Sequence, residues 1–417
     1  MLHSTSRTPR RAARRTARLA ALSATAAVLA SIVSTAPAAT AAPVGNCPHG
    51  TVVRQAQPGG DHTCVAPATL GRRMTAFVPA RHGFAFRNNF QTAPLFDIRV
   101  RGLCGGMSYA ALDHFFSRRP IPAQNTAPAA GTPLFRYINS RQWDSVLPNL
   151  DKWTELTVNP FGWRNQEFFH WGLQGFGGGR LQELRESIDA GRPAPLGLFK
   201  QDSGLFGPHH QVVAIGYQLG RYTGDLGSFQ SDLRIFVYDP NHPGKIMTLA
   251  PRPNQNLFGY LESPGETWRT YFVDRKYARR TPPAFPAPPP TRPGTVSELL
   301  VTIGTGGDDL RGGNDNADLT VAFKHRPALR IPNINHGARW IGRHAQTVRV
   351  PLPRPVEPAE LSSLTLSTAF GGGIGGDNWN VDSLRITASD GTPLFQNSGN
   401  PLVRFTGQTH TFTAPLG

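Results

Sequence analysis

A cysteine, a histidine and an aspartate, each beside a recognisable element, follow one another along this chain in an order suited to acyl transfer. Cys104 opens the stretch "CGGMSYAALDHFF", in which Met107, Ala111, Leu112 and Phe115 fall on one helical face. A thiol at a helix start meets unpaired backbone N–H groups and the positive end of the helix dipole, and both favour the thiolate. Gly105 and Gly106 follow directly, and residues without a Cβ let a substrate or an oxyanion come close to the backbone. A thiolate nucleophile needs a base, and His210 opens the apolar run "HQVVAIGYQ". The imidazole in turn needs an orienting group. Asp239 ends the next run, "LRIFVYDP", and Asn241 just beyond it is the alternative orienter. Nucleophile, base and orienter are the parts of covalent acyl transfer.

Other readings of the same residues stay open. Free cysteine often behaves as a small buried hydrophobe, so an inert core thiol is the alternative for Cys104. His209 is the rival base, although Pro208 before it suggests a loop. His209, His210 and His242 lack the Cys or carboxylate spacing of a metal centre. The remaining cysteines, Cys47 and Cys64, lie close together in "NCPHGTVVRQAQPGGDHTCV". In an oxidising compartment they are expected to pair, closing a short loop worth roughly 3 kcal/mol. Cys104 is then the odd thiol.

The elements that must carry these residues point to an α+β fold followed by an all-β module. "RLQELRESIDAGRP" places Leu181, Leu184 and Ile188 on one helical face and stops at Gly191 with Pro193 beyond. "APLGLFK", "HQVVAIGYQ" and "LRIFVYDP" read as strands of one sheet. "RTPPAFPAPPPTRPG", residues 280–294, is a proline-rich linker of semi-extended character. The expected organisation is a secretory signal over residues 1–42, a disulfide-closed segment over 43–75, a catalytic domain over 76–280, a linker over 281–294 and a β-sandwich over 295–417.

"GLCGGMSYAAL", "DAGRPAPLGL", "HQVVAIGY" and "VYDPN", in that order, resemble the papain-like cysteine peptidase superfamily in its secreted, bacteriocin-processing bacterial form. The resemblance covers about Phe84 to Tyr277. It implies a papain-like domain with Cys104 as nucleophile, His210 as general base and acid, and Asp239 as orienter, with the Cys104 N–H donating to the oxyanion. Where such relatives carry an oxyanion-hole glutamine shortly before the cysteine, this chain has Ile98. Gln91 and Asn89, with Asn88 beside them in "FRNNFQTAP", are the upstream amides that would have to substitute.

The C-terminal part alternates apolar and polar residues in "LTLSTAF", "VDSLRITA" and "HTFTAP", as half-buried antiparallel strands do. It looks like a lipoxygenase-homology or lectin-like β-sandwich, modules that bind lipid surfaces, glycans or proteins. Two polar loops carry Asp308, Asp309, Asn314, Asp315, Asn316, Asp377 and Asn378. These hard oxygens would take calcium if the loops met, and Asp308, Asp309, Asp315 and Asp377 are the candidate ligands. Asp and Asn are also ordinary turn residues. Trp340 and Trp379 read equally as binding aromatics or as core. In "NPFGWRNQEFFHWGLQGFGGG", core packing explains most of the aromatics, and a substrate-groove wall is the sharper alternative.

Composition sets the compartment. Arg7, Arg10, Arg11, Arg14, Arg15 and Arg18 precede an apolar run, Leu19 to Val33, and then "APAATAAP", the layout of a secretory signal. The run is shorter than the ~20 residues of a spanning helix, and no later stretch is long enough. A secreted, extracellular protein is expected. Without the leader arginines the net charge falls from +16 to about +10. Such a surface suits anionic cell-wall or glycan partners, and the scattered arginines show no nucleic-acid stripe. The expected function is a secreted thiol hydrolase of peptide or amide bonds acting on a peptide, protein or peptidoglycan-peptide substrate, with no cofactor required. The alternatives are a non-enzymatic binding or adhesion protein with a degenerate papain-like domain, and a cell-wall amidase.

Overall fold

The computed structural model describes residues 52–54, 63–65, 71–95, 98–200, 207–287, 289–371 and 376–416. The expected signal sequence and the sulfur atoms of Cys47 and Cys64 lie outside the described residues. The fold is α+β, with antiparallel strand pairing throughout the sheets.

The short strands β1 (Val52–Arg54) and β2 (Thr63–Val65) pair with each other, as do β4 (Gln91–Leu95) and β5 (Ile98–Arg101), with β3 (Arg73–Met74) between these pairs in sequence. Six helices are described: α1 (Pro79–His82), α2 (Cys104–Phe116), α3 (Pro133–Val146), α4 (Leu150–Thr157), α5 (Asn165–Leu173) and α6 (Arg180–Asp189). After them come β6 (Ala194–Phe199), β7 (His210–Gln218), β8 (Arg234–Tyr238), β9 (Ile246–Arg252), β10 (Leu257–Tyr260), β11 (Thr267–Trp268) and β12 (Thr270–Val273). These form a sheet in the order β11-β10-β9-β8-β7-β6-β12, and β3 adds to β7.

The three apolar runs expected as strands are adjacent in this sheet because every residue of β6 and β7 has cover on its own face. Side chains alternate across a strand. Val212 and Ala214 join the cluster around Leu181, Leu184 and Ile188 of α6, whereas Val213 and Ile215 join the cluster around Met107 and Leu112 of α2. The spacing in α2 suggests a single apolar face, yet the helix is buried all round from Gly105 to His114. The reason is cover from several directions: α3 and β7 pack against it, and Phe77, Phe84, Phe86 and Phe90 belong to the same apolar cluster.

Asp113, fully buried on α2, knots this helix to the end of the first half. It accepts hydrogen bonds from Tyr137, Tyr277, Arg141 and the Arg280 N–H. The linker that follows packs back: Pro282 is buried, and Phe285 lies against His114 and Tyr137.

The C-terminal half is two four-stranded sheets. One has the order β16-β13-β18-β19 and the other β15-β14-β17-β20, built from β13 (Val296–Thr305), β14 (Ala317–Phe323), β15 (Leu329–Ile331), β16 (His344–Val356), β17 (Leu361–Thr368), β18 (Trp379–Ala388), β19 (Pro393–Phe405) and β20 (Thr411–Pro415). Alternation along β17 buries Leu364 and Leu366 in the sandwich core. Trp340 and Trp379 are core residues with no exposed surface, and Trp379 stacks on Phe405 with ring centroids 5.4 Å apart. One apolar cluster runs without a break from Phe77 and Met107 to Trp340 and Leu384, so the two halves share packing. Trp340 Nε1 donates to the Ala130 carbonyl at 3.2 Å, and the Ala130 N–H donates to Gln346 at 3.0 Å.

Candidate active site

The turn into α2 is set by Gly102, whose φ of +79° suits glycine and whose absent Cβ would sit 2.7 Å from Asn88 Nδ2. Cys104 is then the first helical residue and is half-buried. The first-turn N–H groups have no intrahelical acceptor. Asn88 Oδ1 takes the Leu103 N–H at 2.6 Å and Gln142 Oε1 takes the Gly106 N–H at 2.8 Å. Between those two stand the Cys104 and Gly105 N–H groups, beside the sulfur.

The glycines after the cysteine serve packing. A Cβ on Gly106 would lie 2.1 Å from the Ile138 carbonyl oxygen of α3, and one on Gly105 would lie 1.8 Å from Gln211 Oε1. The expectation that they open the backbone to a substrate is therefore corrected: neighbouring protein atoms fill the space.

His210, at the first position of β7, is 6% exposed and hydrogen-bonds to the Cys104 sulfur. Its Nε2 lies 2.7 Å from Asp239 Oδ1, which leaves Nδ1 for the thiol. Asp239, fully buried at the end of β8, also accepts the Asn241 N–H on Oδ1 at 2.7 Å and the Tyr260 hydroxyl on Oδ2 at 2.7 Å. Asn241 Nδ2 is 3.5 Å from His210 Nε2, too long for a strong bond, so Asp239 holds the ring and Asn241 supports Asp239. Trp268 lies nearly parallel to the imidazole, with centroids 6.3 Å apart.

The electrostatics follow from this contact set. Burial works against a charged imidazole, but the Asp239 carboxylate, the Cys104 sulfur and their hydrogen bonds raise the His210 pKa well above its ordinary 6.5. Burial likewise pushes the Asp239 carboxyl up, and the charge and hydrogen bond of His210, with those from Tyr260 and the Asn241 N–H, outweigh it and hold the group below 3.8. Burial and the neighbouring Asp239 charge raise Tyr260 far above 10.0, so its hydroxyl remains a donor.

His209, the rival base, stacks on Phe199 at 4.1 Å and on Trp153 at 5.3 Å, and its Nδ1 accepts the Lys200 N–H. Of the three upstream amides, Asn88 reaches the helix tip; its Nδ2 also donates to Asn241 Oδ1 at 3.2 Å. Asn89 and Gln91 instead line a separate cavity with Phe86 and Phe90. Tyr260 and Trp268 escaped sequence reasoning, since an isolated aromatic in a strand carries no spacing signal. Asn88 is one of three amides in "FRNNFQTAP", and only the turn at Gly102 singles it out.

The described residues hold no group of potential metal ligands that includes His209. Among the described residues, Asp239, His242 and Glu266 bring ligand atoms within 4.8 Å of one another, but Asp239 is engaged by His210 and Tyr260, and His242 Nε2 pairs with Glu266 at 2.9 Å. The calcium candidates are also differently occupied. Asp308 pairs with Arg404, Asp309 with Arg339, and both Asp315 and Asp377 with Arg311. Each of the four carboxylates thus has an arginine guanidinium as a partner.

Among the described residues no helix is long and apolar enough to cross a membrane. No family model matches the chain, and no curated protein matches it. Among solved structures, the alpha-toxin of Clostridium perfringens avian strain SWCP is 17% identical over 30% of this chain and 32% of its own, with a TM-score of 0.24. The alpha toxin of Clostridium absonum is 14% identical over 30% of this chain and 33% of its own, with a TM-score of 0.25. The chain spans about a third of the length of these toxins, and a likeness at this level carries no argument about activity.

Proposed function

We propose that the protein is an exported thiol hydrolase of amide or peptide bonds with a papain-like first half. The observation that carries the reading is the His210 ring held between the Cys104 sulfur and the buried Asp239 carboxylate. In this mechanism the Cys104 thiolate adds to the substrate carbonyl carbon, and the carbonyl electron pair moves onto oxygen. The Cys104 N–H is a donor available for that oxyanion, with the Asn88 amide next to the same turn. As the oxyanion collapses, the C–N bond breaks and His210 gives its proton to the leaving amine, leaving a thioester. His210 then takes a proton from water, the hydroxide adds to the thioester, and the acid and the thiolate are released. Asp239 remains ionised and fixes the ring. The basic charge and the leader composition support an extracellular, anionic setting for the substrate.

The test is Cys104→Ala assayed on a pool of peptide amides and on peptidoglycan fragments, with circular dichroism as the fold control. The expected result is loss of turnover in a folded protein. Turnover equal to wild type would overturn the reading.

A further inference from the structure

Outside the cysteine site, the feature that carries chemistry is the cavity between the two halves. Its volume is about 350 Å3, within the range of small-molecule sites, roughly 300–1,000 Å3. The first half supplies Phe86, Phe90 and Phe135, buried rings that pack on one another at centroid distances of 6.2 Å and 5.7 Å and form an apolar floor. Carboxamides surround it: Asn89, Gln91 and Asn125 from the first half and Gln346 from the sandwich. Thr302 and Thr347 add hydroxyls from β13 and β16, hydrogen-bonded to each other at 3.0 Å. Gln346 is fixed by its bond to the Ala130 N–H, so this wall is pre-organised. None of the described lining residues is acidic, and Arg87 is the one permanent charge among them.

We propose that this cavity binds a neutral sugar ring. Carboxamides and hydroxyls both donate and accept hydrogen bonds, as ring hydroxyls do, and the edge-to-face phenyl cluster offers an apolar surface to the C–H face of a pyranose. A cationic ligand would find no carboxylate here. The cavity also adjoins the catalytic residues through one short segment. Arg87 Nε donates to the Asn241 carbonyl at 3.0 Å, and the Asn88 N–H donates to the Pro240 carbonyl at 3.0 Å, while Asn89 and Phe90 line the cavity. On the hydrolase reading, and resting on it, the sugar is the anchoring part of a substrate whose scissile amide hangs from a glycan.

The test is saturation-transfer NMR on the full chain with N-acetylglucosamine, glucose and dialanine as probes, in wild type, Cys104→Ala and Asn125→Ala/Thr347→Val. Transfer to at least one sugar is expected, unchanged in Cys104→Ala and weakened at least tenfold in the double variant. Asn125→Trp, which fills the cavity mouth, gives an independent check should the double variant melt early. No transfer to either sugar, full affinity in both cavity variants, or displacement of the sugar by dialanine would overturn the proposal. Sugar binding by a wild-type protein that turns over no amide substrate would remove the hydrolase reading alone. Turnover without sugar binding would remove the cavity assignment alone.

Discussion

Replacing Asp239 by asparagine separates the charge of the orienting group from its shape. The asparagine oxygen can still accept from His210 Nε2 and the Asn241 N–H, and its amide can donate to the Tyr260 oxygen, whose own proton loses its acceptor. What disappears is the carboxylate beside the imidazolium. The bonded atoms are 2.7 Å apart, and the charge centres sit about 4 Å apart, where an effective dielectric of 20 gives about 4 kcal/mol. Losing that attraction should depopulate the charged imidazole, and with it the thiolate it stabilises, by up to about a thousandfold. The assay is the rate of Cys104 alkylation by iodoacetamide near pH 5, read by peptide mass spectrometry. This needs no substrate, since only a thiolate reacts appreciably there. The wild type should alkylate at that pH, and Asp239→Asn should lose at least a hundredfold in rate while retaining its far-ultraviolet spectrum. Equal rates in the two folded proteins would refute the claim that Asp239 charges the pair.

Further expectations concern the same elements. In His210→Ala, alkylation near pH 5 should collapse, whereas His209→Ala should leave it unchanged and lower stability by about 1–2 kcal/mol through the lost stacking on Phe199 and Trp153; the reverse pattern would exchange their roles. Gly106→Ala should cost about 3 kcal/mol in urea unfolding because it meets the Ile138 backbone oxygen, and Gly105→Ala should also destabilise, because its Cβ meets the buried, mutually hydrogen-bonded Gln211 and Ser145 side chains. For pH, the raised His210 pKa contributes stability in full below about 6.5 and loses it as pH rises through the folded value. The lowered Asp239 pKa contributes above about 3.8 and loses it as pH falls through its folded value. The melting temperature of wild type relative to Asp239→Asn should therefore be highest between those limits, and a flat difference from pH 3 to pH 9 would contradict it.

The elements of the first half were legible because their signals are local. The β7 run begins at His210 because buried β-branched residues start there, and the helix at Cys104 follows from its apolar spacing and the turn before it. What the sequence hid is contact across distance. Asn88 meets the helix tip only because its segment lies on the Pro240–Asn241 turn. Tyr260 reaches Asp239 from two strands away in the sheet. The loop carboxylates at Asp308 and Asp377 share their composition with ion-binding loops, and only the fold reveals that arginines distant in sequence answer them.

The unbroken apolar cluster from Phe77 to Leu384 bears on how such a protein can be taken apart. A proline-rich joint invites the thought of two exchangeable modules. Here, excising either half would strip cover from the other: the Ala130 N–H would lose its Gln346 acceptor, and Trp340 would lose the carbonyl that satisfies its indole. A fragment ending at residue 280 should therefore be sticky and poorly folded, and grafting the sandwich onto a foreign enzyme should require carrying the Ala129–Ala130 turn with it.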